Sequence, residues 1–500
     1  MKNGKVILVG AGPSDAGLIT IRALSALQRA DVVVYDKLVG IEILNMINSS
    51  AKKIDVGKRG GNHPVPQEEI NRILLLEAEK GNYVVRLKGG DPFMFGRGGE
   101  ELELLNENNI DFEVVPGVTS AISVPSYAGI PVTHRDYCSS LHIITGHTKA
   151  KDKPEMDFDA LVRLKGTLVF LMGVGAIDAI SSGLINAGMK KEMPIAIIEK
   201  GTTARQRELV TTLENVVIEA QKSEIKAPAV IIVGAVCSLH DKFSWTYKRQ
   251  LNKMRIIITR PKDLCSSFSE KIRELGGEAI EFPCIKTKSL DGLGGTIKNI
   301  KEYKWVVFTS AFGVKAFLET LKLVNLDVRI LYNTKIAVIG SGTRAEFEKM
   351  GISVDLMPEN YNVKSLAMAL VEKIEKDEKV LLFRAKEGSN EINKIFDKNN
   401  ILYSDVPAYE TVYDTEFCEF SKDVIISGDY DYAAFTSAST VKGFVNSLLD
   451  LDFSKVNALC IGEQTAEEAT KYGMNVIISK KATIESMIDV LKELGEQNAK

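Results

Sequence analysis

The stretch YVVRLKGGDPFMFGRGGEE, residues Tyr83–Glu101, carries the pattern that most strongly indicates the fold. A short apolar strand pattern runs into Gly89 and Gly90, and a helical pattern follows them. Glycines at such a junction let a ligand approach bare backbone. The segment VGAGPSD, residues Val9–Asp15, repeats this arrangement at the start of the chain. Two glycine-rich loops at strand exits predict an α/β fold in which both loops grip one ligand.

The first loop matches a dinucleotide-binding fingerprint only in part. Gly10 and Gly12 fit that fingerprint, and Asp36 ends the next apolar run, where a ribose-binding acid would sit. However, Asp15 occupies the third glycine position, and Pro13 removes a backbone donor from the turn. A nicotinamide-dependent oxidoreductase is therefore the less favoured hypothesis, and it predicts a spectral shift on addition of NADH.

Length, charge and hydropathy limit the classes of protein that this chain can belong to. A chain of 500 residues is long enough for two or three domains. The net charge of −3 indicates neither a nucleic-acid-binding surface nor a polybasic membrane patch. No apolar run approaches the roughly 18 residues that a membrane-spanning helix needs. We therefore expect no nucleic-acid partner and no membrane partner.

The cysteines and histidines show no pattern of a disulfide framework or a metal site. The six cysteines lie far apart without a Cys-x-x-Cys pair, which favours a reducing, cytoplasmic location. His134, His142 and His147 come nearest to a cluster, but they lack the spacing of metal ligands. We expect no bound metal.

Strand and helix patterns alternate along the chain. Residues 6–9 predict a buried strand, and residues 67–78 carry an apolar stripe of helical period with acids in the first turn. Residues 242–253 differ because they are mostly polar, so we interpret them as a linker. The sequence thus predicts one α/β domain over residues 1–241 and a second over residues 254–500.

The second of these domains contains an internal repeat. Its spacing is too long for a solenoid. Four short elements recur in the same order: Ile256–Pro261 with Val380–Ala385, Glu281–Pro283 with Asp405–Pro407, Phe308–Ala311 with Phe435–Ala438, and Ala337–Gly340 with Leu459–Gly462. The repeat predicts two similar α/β subdomains facing each other across a cleft, one formed by residues 254–286 with 409–500 and the other by residues 287–408. Each would place hydroxyls and helix amides at the carboxyl ends of strands.

Residues from about Lys5 to His240 resemble uroporphyrinogen-III C-methyltransferase, a tetrapyrrole methyltransferase that uses S-adenosylmethionine. The family usually has glycine at the position of Ser14. Because serine does not readily adopt the backbone angles open only to glycine, this difference affects the expected geometry of the first turn. The resemblance implies a two-lobed tetrapyrrole methyltransferase fold and a homodimer formed through this domain. The segments that carry it cover nearly the whole domain in order: Gly10–Asp15, Tyr35-Asp36, Gly57–Arg59, Gln67–Asn71, Arg86–Glu101, Val115–Thr119, Ala128–Asp136, Thr145–His147, Leu171–Gly173, Gly201-Thr202 and Pro228–Gly234.

Residues from about Met254 to Asn498 resemble uroporphyrinogen-III synthase. The resemblance rests on the Thr-Arg-Pro opening, both Phe-Thr-Ser-Ala elements, Pro407–Thr411 and both Ile-Gly…Thr elements. It implies two flavodoxin-like α/β subdomains that cyclise hydroxymethylbilane and invert its last ring without a cofactor. A binding module without activity stays open for this domain.

Together the two resemblances imply a bifunctional fusion enzyme of cobalamin or siroheme synthesis. The tetrapyrrole product of one domain would be the substrate of the other. No segment resembles the dehydrogenase and ferrochelatase of longer siroheme synthases, so synthesis is expected to stop at precorrin-2.

The methyltransferase resemblance implies a set of residues around S-adenosylmethionine. Glycines allow close approach of the backbone, and the Asp91 carboxylate can accept hydrogen bonds from ribose hydroxyls or face a sulfonium. Asp91-Pro92 is also a common start of a turn, and Met172 could equally belong to an apolar core. The implied residues are Pro13, Gly89, Gly90, Asp91, Met94, Thr119, Ser120, Met172 and Gly201.

Methylation of a pyrrole carbon requires protons to move, and hence an acid–base pair near the ring. Asp36 and Lys58 match the family's proposed proton acceptor and donor, although Asp36 could instead cap the following helix. Cations beside the glycine loops could meet the carboxylates of the tetrapyrrole: Lys58, Arg59, Arg97 and Arg135.

In the synthase-like domain we expect shape and hydrogen bonding to dominate, because the cyclisation needs little covalent chemistry from the protein. Tyr409 is the candidate catalytic residue, since a phenol can give a proton to a departing hydroxide without being charged at rest. The alternative is a tyrosine that packs the hinge between the subdomains. The candidate binding residues are hydroxyls that could also cap helices: Thr309, Ser310, Thr343, Ser437 and Thr465.

Overall fold

The computed structural model contains four five-stranded sheets, two in each half of the chain. We call residues 1–241 the front half and residues 254–500 the back half. The alternating sequence patterns correctly predicted an α/β fold. None of the helices in the described residues combines the length and the apolar composition that a membrane span requires. The residues that the structure describes are 4–57, 65–146, 156–413 and 419–498.

The first lobe of the front half is built on a parallel sheet. Its elements are β1 (Lys5–Gly10), α1 (Ile21–Arg29), β2 (Val32–Tyr35), α2 (Ile41–Leu44), β3 (Lys52–Asp55), α3 (Gln67–Glu79), β4 (Tyr83–Lys88), α4 (Gly98–Glu107) and β5 (Asp111–Val115). The strand order is β3-β2-β4-β1-β5. Ile7 and Val9 join one apolar cluster and Val6 and Leu8 another, because alternate residues of a strand point to opposite faces. All carboxyl ends meet at one edge, where the glycine loops begin.

The second lobe of the front half is a mixed sheet. Its elements are α5 (Ser120–Tyr127), β6 (Leu141–Thr145), α6 (Phe158–Leu164), β7 (Thr167–Leu171), α7 (Ile177–Asn186), β8 (Pro194–Glu199), β9 (Arg207–Thr212), α8 (Val216–Lys222) and β10 (Ala229–Val233). The order is β6-β7-β10-β8-β9, with only β6 and β7 parallel. A short helix, α9 (His240–Phe243), follows and leads into residues 244–253.

The back half contains ten strands and ten α-helices in the described residues. In chain order they are β11 (Arg255–Ile258), α10 (Lys262–Glu274), β12 (Glu278–Glu281), β13 (Ile285–Ser289), α11 (Leu293–Lys298), β14 (Trp305–Phe308), α12 (Ala311–Leu323), β15 (Lys335–Val338), α13 (Ser341–Glu348), α14 (Val363–Val371), β16 (Lys379–Ala385), α15 (Glu391–Lys398), β17 (Leu402–Tyr413), α16 (Glu419–Ile426), β18 (Tyr432–Phe435), α17 (Ala438–Ser447), β19 (Asn457–Cys460), α18 (Glu463–Lys471), β20 (Asn475–Ile478) and α19 (Ile484–Asn498).

These strands form two sheets of closely similar topology. The third sheet has the order β12-β11-β18-β19-β20 and is parallel throughout, which is the flavodoxin-like order. The fourth has the order β13-β17-β16-β14-β15, with β13 antiparallel to β17. The predicted flavodoxin-like pair of subdomains is confirmed.

The two halves contact each other through charged side chains. Arg205, in the loop before β9, lies 2.8 Å from Asp429 and 3.1 Å from Asp431, both just before β18. Glu42 of α2 accepts hydrogen bonds of 3.0 Å from Arg273 and from the amide of Ala279. Burial is the main cause that raises the pKa of the Glu42 carboxyl, from its ordinary 4.5 to about 7.

Candidate functional site

The two glycine loops of the first lobe are joined by backbone hydrogen bonds. The amide of Gly12 donates to the carbonyl of Gly90 at 3.0 Å, and the amide of Gly90 donates to the carbonyl of Gly12 at 2.8 Å. A third loop lies against them, since a Cβ on Gly10 would fall 2.4 Å from the amide of Gly117. The backbones approach too closely for a side chain at Gly10. The structure thus places both loops at one site, as their positions after β1 and β4 predicted.

A cavity of about 1170 Å³ opens over these loops and extends between the two lobes. All nine residues that the resemblance placed around the methyl donor line this cavity: Pro13, Gly89, Gly90, Asp91, Met94, Thr119, Ser120, Met172 and Gly201. They come from strand exits of both lobes and from the start of α5. Their grouping is observed, whereas their roles toward a ligand stay predictions.

Asp91 organises the second glycine loop. Its Oδ1 accepts hydrogen bonds from the amides of Phe93 at 2.8 Å and Met94 at 3.1 Å, and its Oδ2 accepts one from Gly117 at 3.1 Å. The Asp91 carboxylate therefore stabilises a turn, as the alternative interpretation predicted. It also connects the second glycine loop to the loop that contains Gly117. Met172 does not belong to the core, because it is 49% exposed and faces the cavity with a φ of +56°.

Asp36 lies at the cavity wall, after β2. Its Oδ1 accepts a hydrogen bond from the amide of Leu38 at 3.1 Å, and its Oδ2 lies 3.5 Å from Nη2 of Arg86. Helix α2 begins only at Ile41, with Gly40 at its N-cap, so the alternative in which Asp36 caps that helix is wrong. The carboxylate is fixed by a local turn and by a neighbouring cation.

A buried charge network supports Asp36, and the sequence patterns did not reveal it. Glu101 of α4 is fully buried, and its Oε1 lies 3.1 Å from Nε of Arg86 and 2.7 Å from Nζ of Lys88. Burial, followed by the charge of Arg86, lowers the pKa of the Lys88 ammonium, which lines the cavity. Two cations within the otherwise apolar strand β4 are the signal that could have identified this network, because buried charges need partners.

The remaining charged candidates differ in their positions. Arg97 lines the cavity and lies 2.7 Å from Glu100, on an exposed surface. Arg135 is exposed and lies outside the cavity lining. Lys58 and Arg59 lie outside the described residues.

Contacts across the cavity mouth tie the lobes together. The Thr202 hydroxyl donates to the carbonyl of Pro13 at 2.8 Å, and the Tyr127 hydroxyl donates to Asp15 at 2.6 Å. Between Pro13 and Asp15, Ser14 has a φ of +112°, a value that favours glycine. The chain thus keeps a glycine-type turn with a serine in it, at the cost of backbone strain.

In the back half, Ser310 and Tyr409 form the most closely placed pair of candidates. Their hydroxyls lie 2.6 Å apart, and the Ser310 oxygen also accepts a hydrogen bond from the amide of Gly313 at the start of α12. The Tyr409 ring packs edge-to-face on Phe312, with centroids 4.9 Å apart. Burial raises the pKa of the Tyr409 phenol, which keeps it protonated. Tyr409 thus combines a buried ring with a polar contact at a helix N-terminus.

The other hydroxyl candidates of the back half also lie at strand exits. Ser437 caps α17 through the amide of Thr440 at 3.3 Å. Thr309 is half-buried after β14. Thr343 and Thr465 are each only 4% exposed, so contact with a ligand would require their surroundings to move.

Comparisons with known proteins agree with this division of the chain. Residues 5–217 match the family model for tetrapyrrole (corrin/porphyrin) methylases. Residues 266–489 match the model for uroporphyrinogen-III synthase HemD. The porphyrin biosynthesis protein HemD of Ruminiclostridium josui is 49% identical over 501 residues, which covers 100% of this chain and 99% of that protein.

The chain belongs to this HemD family. It therefore joins a tetrapyrrole methylase domain to a uroporphyrinogen-III synthase domain, and the fusion of two enzyme types expected from the sequence is confirmed. The siroheme synthase of Escherichia fergusonii is 53% identical over 242 residues. That match covers 48% of this HemD-family chain and 52% of the relative. The chain therefore spans about half of the relative's length.

A solved structure also aligns with the front half. It is a uroporphyrin-III C-methyl transferase from Thermus thermophilus, complexed with S-adenosyl homocysteine. It is 39% identical with a TM-score of 0.41, and the alignment covers 47% of this chain and 100% of that one.

Proposed function

We propose that the back half cyclises hydroxymethylbilane to uroporphyrinogen III and that the front half methylates this product twice to precorrin-2. The observation that carries the proposal is the pair of joined glycine loops at the floor of a large cavity, with Asp36 fixed in its wall. Precorrin-2 would serve cobalamin or siroheme synthesis. The domain boundaries at residues 241 and 254 stay predictions.

The residues beside the glycine loops fit a methyl donor of the S-adenosylmethionine type. Gly90 has a φ of +67° and open space where a side chain would stand, so the backbone there is accessible from the cavity. S-adenosylmethionine supplies an electrophilic methyl group when bound. The protein's part is to hold donor and acceptor in line, since positioning is a major source of acceleration.

Proton movement during methylation falls to Asp36 and Lys58 in this proposal. Asp36 accepts the proton that leaves the methylated ring system, and Arg86, 3.5 Å away, helps to hold its carboxylate at the cavity wall. Lys58 is proposed as the donor on the basis of the sequence resemblance alone. Glu101 holds Arg86 in place and also pairs with Lys88.

In the back half, Tyr409 is proposed as the donor that protonates the hydroxyl group leaving the open-chain tetrapyrrole. Its contact with Ser310 places the phenol beside the N-terminus of α12, whose free amides suit anionic groups. No cofactor is invoked for this half. A binding module without catalysis predicts that ring closure proceeds no faster than it does without protein.

The test is incubation of the full chain with hydroxymethylbilane and S-adenosylmethionine, followed by product mass and isomer analysis. The proposal expects a twice-methylated type III product. Unmethylated uroporphyrinogen III as the end product would refute the front-half assignment, and a type I product would refute the back-half assignment. A spectral shift with NADH, absent with S-adenosylhomocysteine, would favour an oxidoreductase instead.

We also propose a homodimer formed through the front half and a cytoplasmic location. The sequence resemblance supports the first, and the dispersed cysteines support the second. Light scattering at micromolar concentration tests the dimer, and a monomeric mass would contradict it.

A further inference from the structure

The segment 244–253, which we call the connecting segment, is anchored on both halves. The Trp245 indole donates to the carbonyl of Ser126 at 2.9 Å, and its ring packs edge-to-face on Tyr127 with centroids 5.3 Å apart. At the other end, Leu251 is fully buried in an apolar cluster of the back half. The segment is therefore held in one place rather than acting as a loose tether.

This anchoring makes the connecting segment part of the cavity wall. Tyr247, Arg249 and Lys253 line the same cavity as the glycine loops. The Arg249 guanidinium donates to the carbonyl of Glu274 at 2.9 Å and lies 5.6 Å from the centre of the Trp245 ring. The Lys253 ammonium lies 5.0 Å from the centre of the Tyr247 ring. Both cations are thus positioned by contacts that leave their charge uncompensated.

Most other cations of the cavity are already paired with carboxylates. Arg255 lies 2.5 Å from Asp429, Arg273 lies 3.0 Å from Glu42, and Arg97 is paired with Glu100. Within the described ranges, four cavity cations have no carboxylate within ion-pair distance: Lys37, Lys200, Arg249 and Lys253. Two of these four belong to the connecting segment, and neither domain family model covers them.

We propose that Arg249 and Lys253 bind carboxylates of the methyl acceptor, so that the junction between the halves is part of the methyltransferase site. The inference rests on the proposed function, in which the acceptor is a tetrapyrrole with carboxylate groups on every ring. Unpaired cations in a partly enclosed cavity suit such a ligand, since screening by water is reduced there. S-adenosylmethionine offers a single carboxylate beside its sulfonium and ammonium charges, whereas the acceptor offers carboxylates on every ring. Two unpaired cations therefore match the acceptor better than the methyl donor.

The test uses the full chain with Arg249→Gln and Lys253→Gln combined, supplied directly with uroporphyrinogen III. We expect KM for the tetrapyrrole to rise about 5- to 10-fold, as two partly exposed charge pairs would give. The kcat and the KM for S-adenosylmethionine should stay unchanged. Lys248→Gln is the matched control, because Lys248 is an exposed cation of the same segment that lies outside the cavity lining. Its KM should equal that of the unmodified chain.

Two further variants separate charge from folding. Arg249→Lys with Lys253→Arg keeps both charges and should restore most of the lost affinity. Lys253→Gln alone removes an exposed side chain and should still raise KM about 2- to 3-fold. If the double variant and Lys248→Gln have the same KM for uroporphyrinogen III, the inference is wrong. The proposed function would remain intact. Failure of the unmodified chain to methylate uroporphyrinogen III would instead refute the proposed function itself.

Discussion

The cavity of the front half and the strand exits of the back half hold their candidate residues by different means. In the front half, backbone hydrogen bonds join Gly12 to Gly90, and buried charges fix Arg86 beside Asp36. In the back half, Ser310 and Ser437 cap helices with the hydroxyls that are candidates for binding. The difference fits the two proposed reactions. Methyl transfer needs two ligands in line and a charged base, whereas ring closure needs a shaped surface with a proton donor.

The cavity and the candidate Ser437 lie at opposite ends of the strands of the third sheet. Asp429 and Asp431 precede β18 and face the front half, whereas Ser437 follows the carboxyl end of β18. A parallel strand separates its two ends by roughly 3.3 Å per residue. We therefore expect uroporphyrinogen III to leave the back half into solvent before it enters the cavity. The predictions below test this contrast, beginning with the largest effect.

The largest effect is expected for Asp36→Asn. Asparagine keeps the oxygen that accepts the bond from Leu38 but loses basicity, so methylation should slow about 10²- to 10⁴-fold. Binding of S-adenosylhomocysteine, measured by titration calorimetry, should be unchanged. Asp55→Asn is the control, since Asp55 forms the same kind of turn to Gly57 but lies outside the cavity lining. Equal methylation rates for the two variants would leave Asp36 with a structural role only.

Tyr409→Phe should slow the cyclisation about 10²-fold, the low end for general acid catalysis. The ring keeps its packing on Phe312, so the melting temperature should hardly change. The non-inverted isomer should increase, because released substrate closes spontaneously. Tyr403→Phe, a change in the same strand, removes a hydroxyl that contacts Asp397 and Asn393, and cyclisation should continue normally. If Tyr409→Phe is fully active and only Tyr409→Ala is impaired, with a lower melting temperature, the tyrosine is structural.

The stability that the buried Glu42 carboxyl contributes should fall as pH rises. The Glu42 carboxyl has a pKa of about 7 in the folded chain and an ordinary value of 4.5, so the folded state binds the extra proton. This contribution is fully present below pH 4.5 and is lost as pH rises through about 7, amounting to about 2 kcal/mol between pH 5.5 and 8. Thermal unfolding of Glu42→Gln should lack this dependence. If stability changes with pH to the same extent in the unmodified chain and in Glu42→Gln, the Glu42 carboxyl is not the group responsible.

The smallest effect is expected for Ser14→Gly. Removing the side chain at a φ of +112° should raise the stability of the front half by about 1 kcal/mol. Ser182→Gly, an exposed position inside α7, should lower stability by a similar amount. Chemical denaturation should show a higher free energy of unfolding for Ser14→Gly and a lower one for Ser182→Gly. A loss of stability in Ser14→Gly would show that the serine side chain contributes a contact.

Local patterns predicted the elements and the meeting of the glycine loops. The acids at the start of α3 and the apolar run of β1 signal their structures by themselves. The loops could be placed together because parallel strands share one edge for their carboxyl ends. The paired subdomains followed from the repeat, since similar sequences form similar units.

Long-range contacts could not be predicted from these patterns. The pairing of Glu101 with Arg86 and Lys88 joins a helix to a strand, and no local periodicity encodes it. Residues 242–253, which include the connecting segment, were interpreted as a linker because they are mostly polar. Its anchors are single residues, Trp245 and Leu251, whose burial depends on the surfaces that they meet.

The central claim, two separate sites acting in sequence through a free intermediate, is tested most directly by mixing two chains that are each impaired in one reaction. Asp36→Asn should convert hydroxymethylbilane only to uroporphyrinogen III, and Tyr409→Phe should methylate that intermediate but produce it slowly. A mixture of both chains with S-adenosylmethionine should form precorrin-2 at a rate approaching that of the unmodified chain, as measured by product mass over time. Accumulation of unmethylated uroporphyrinogen III in the mixture would contradict the account.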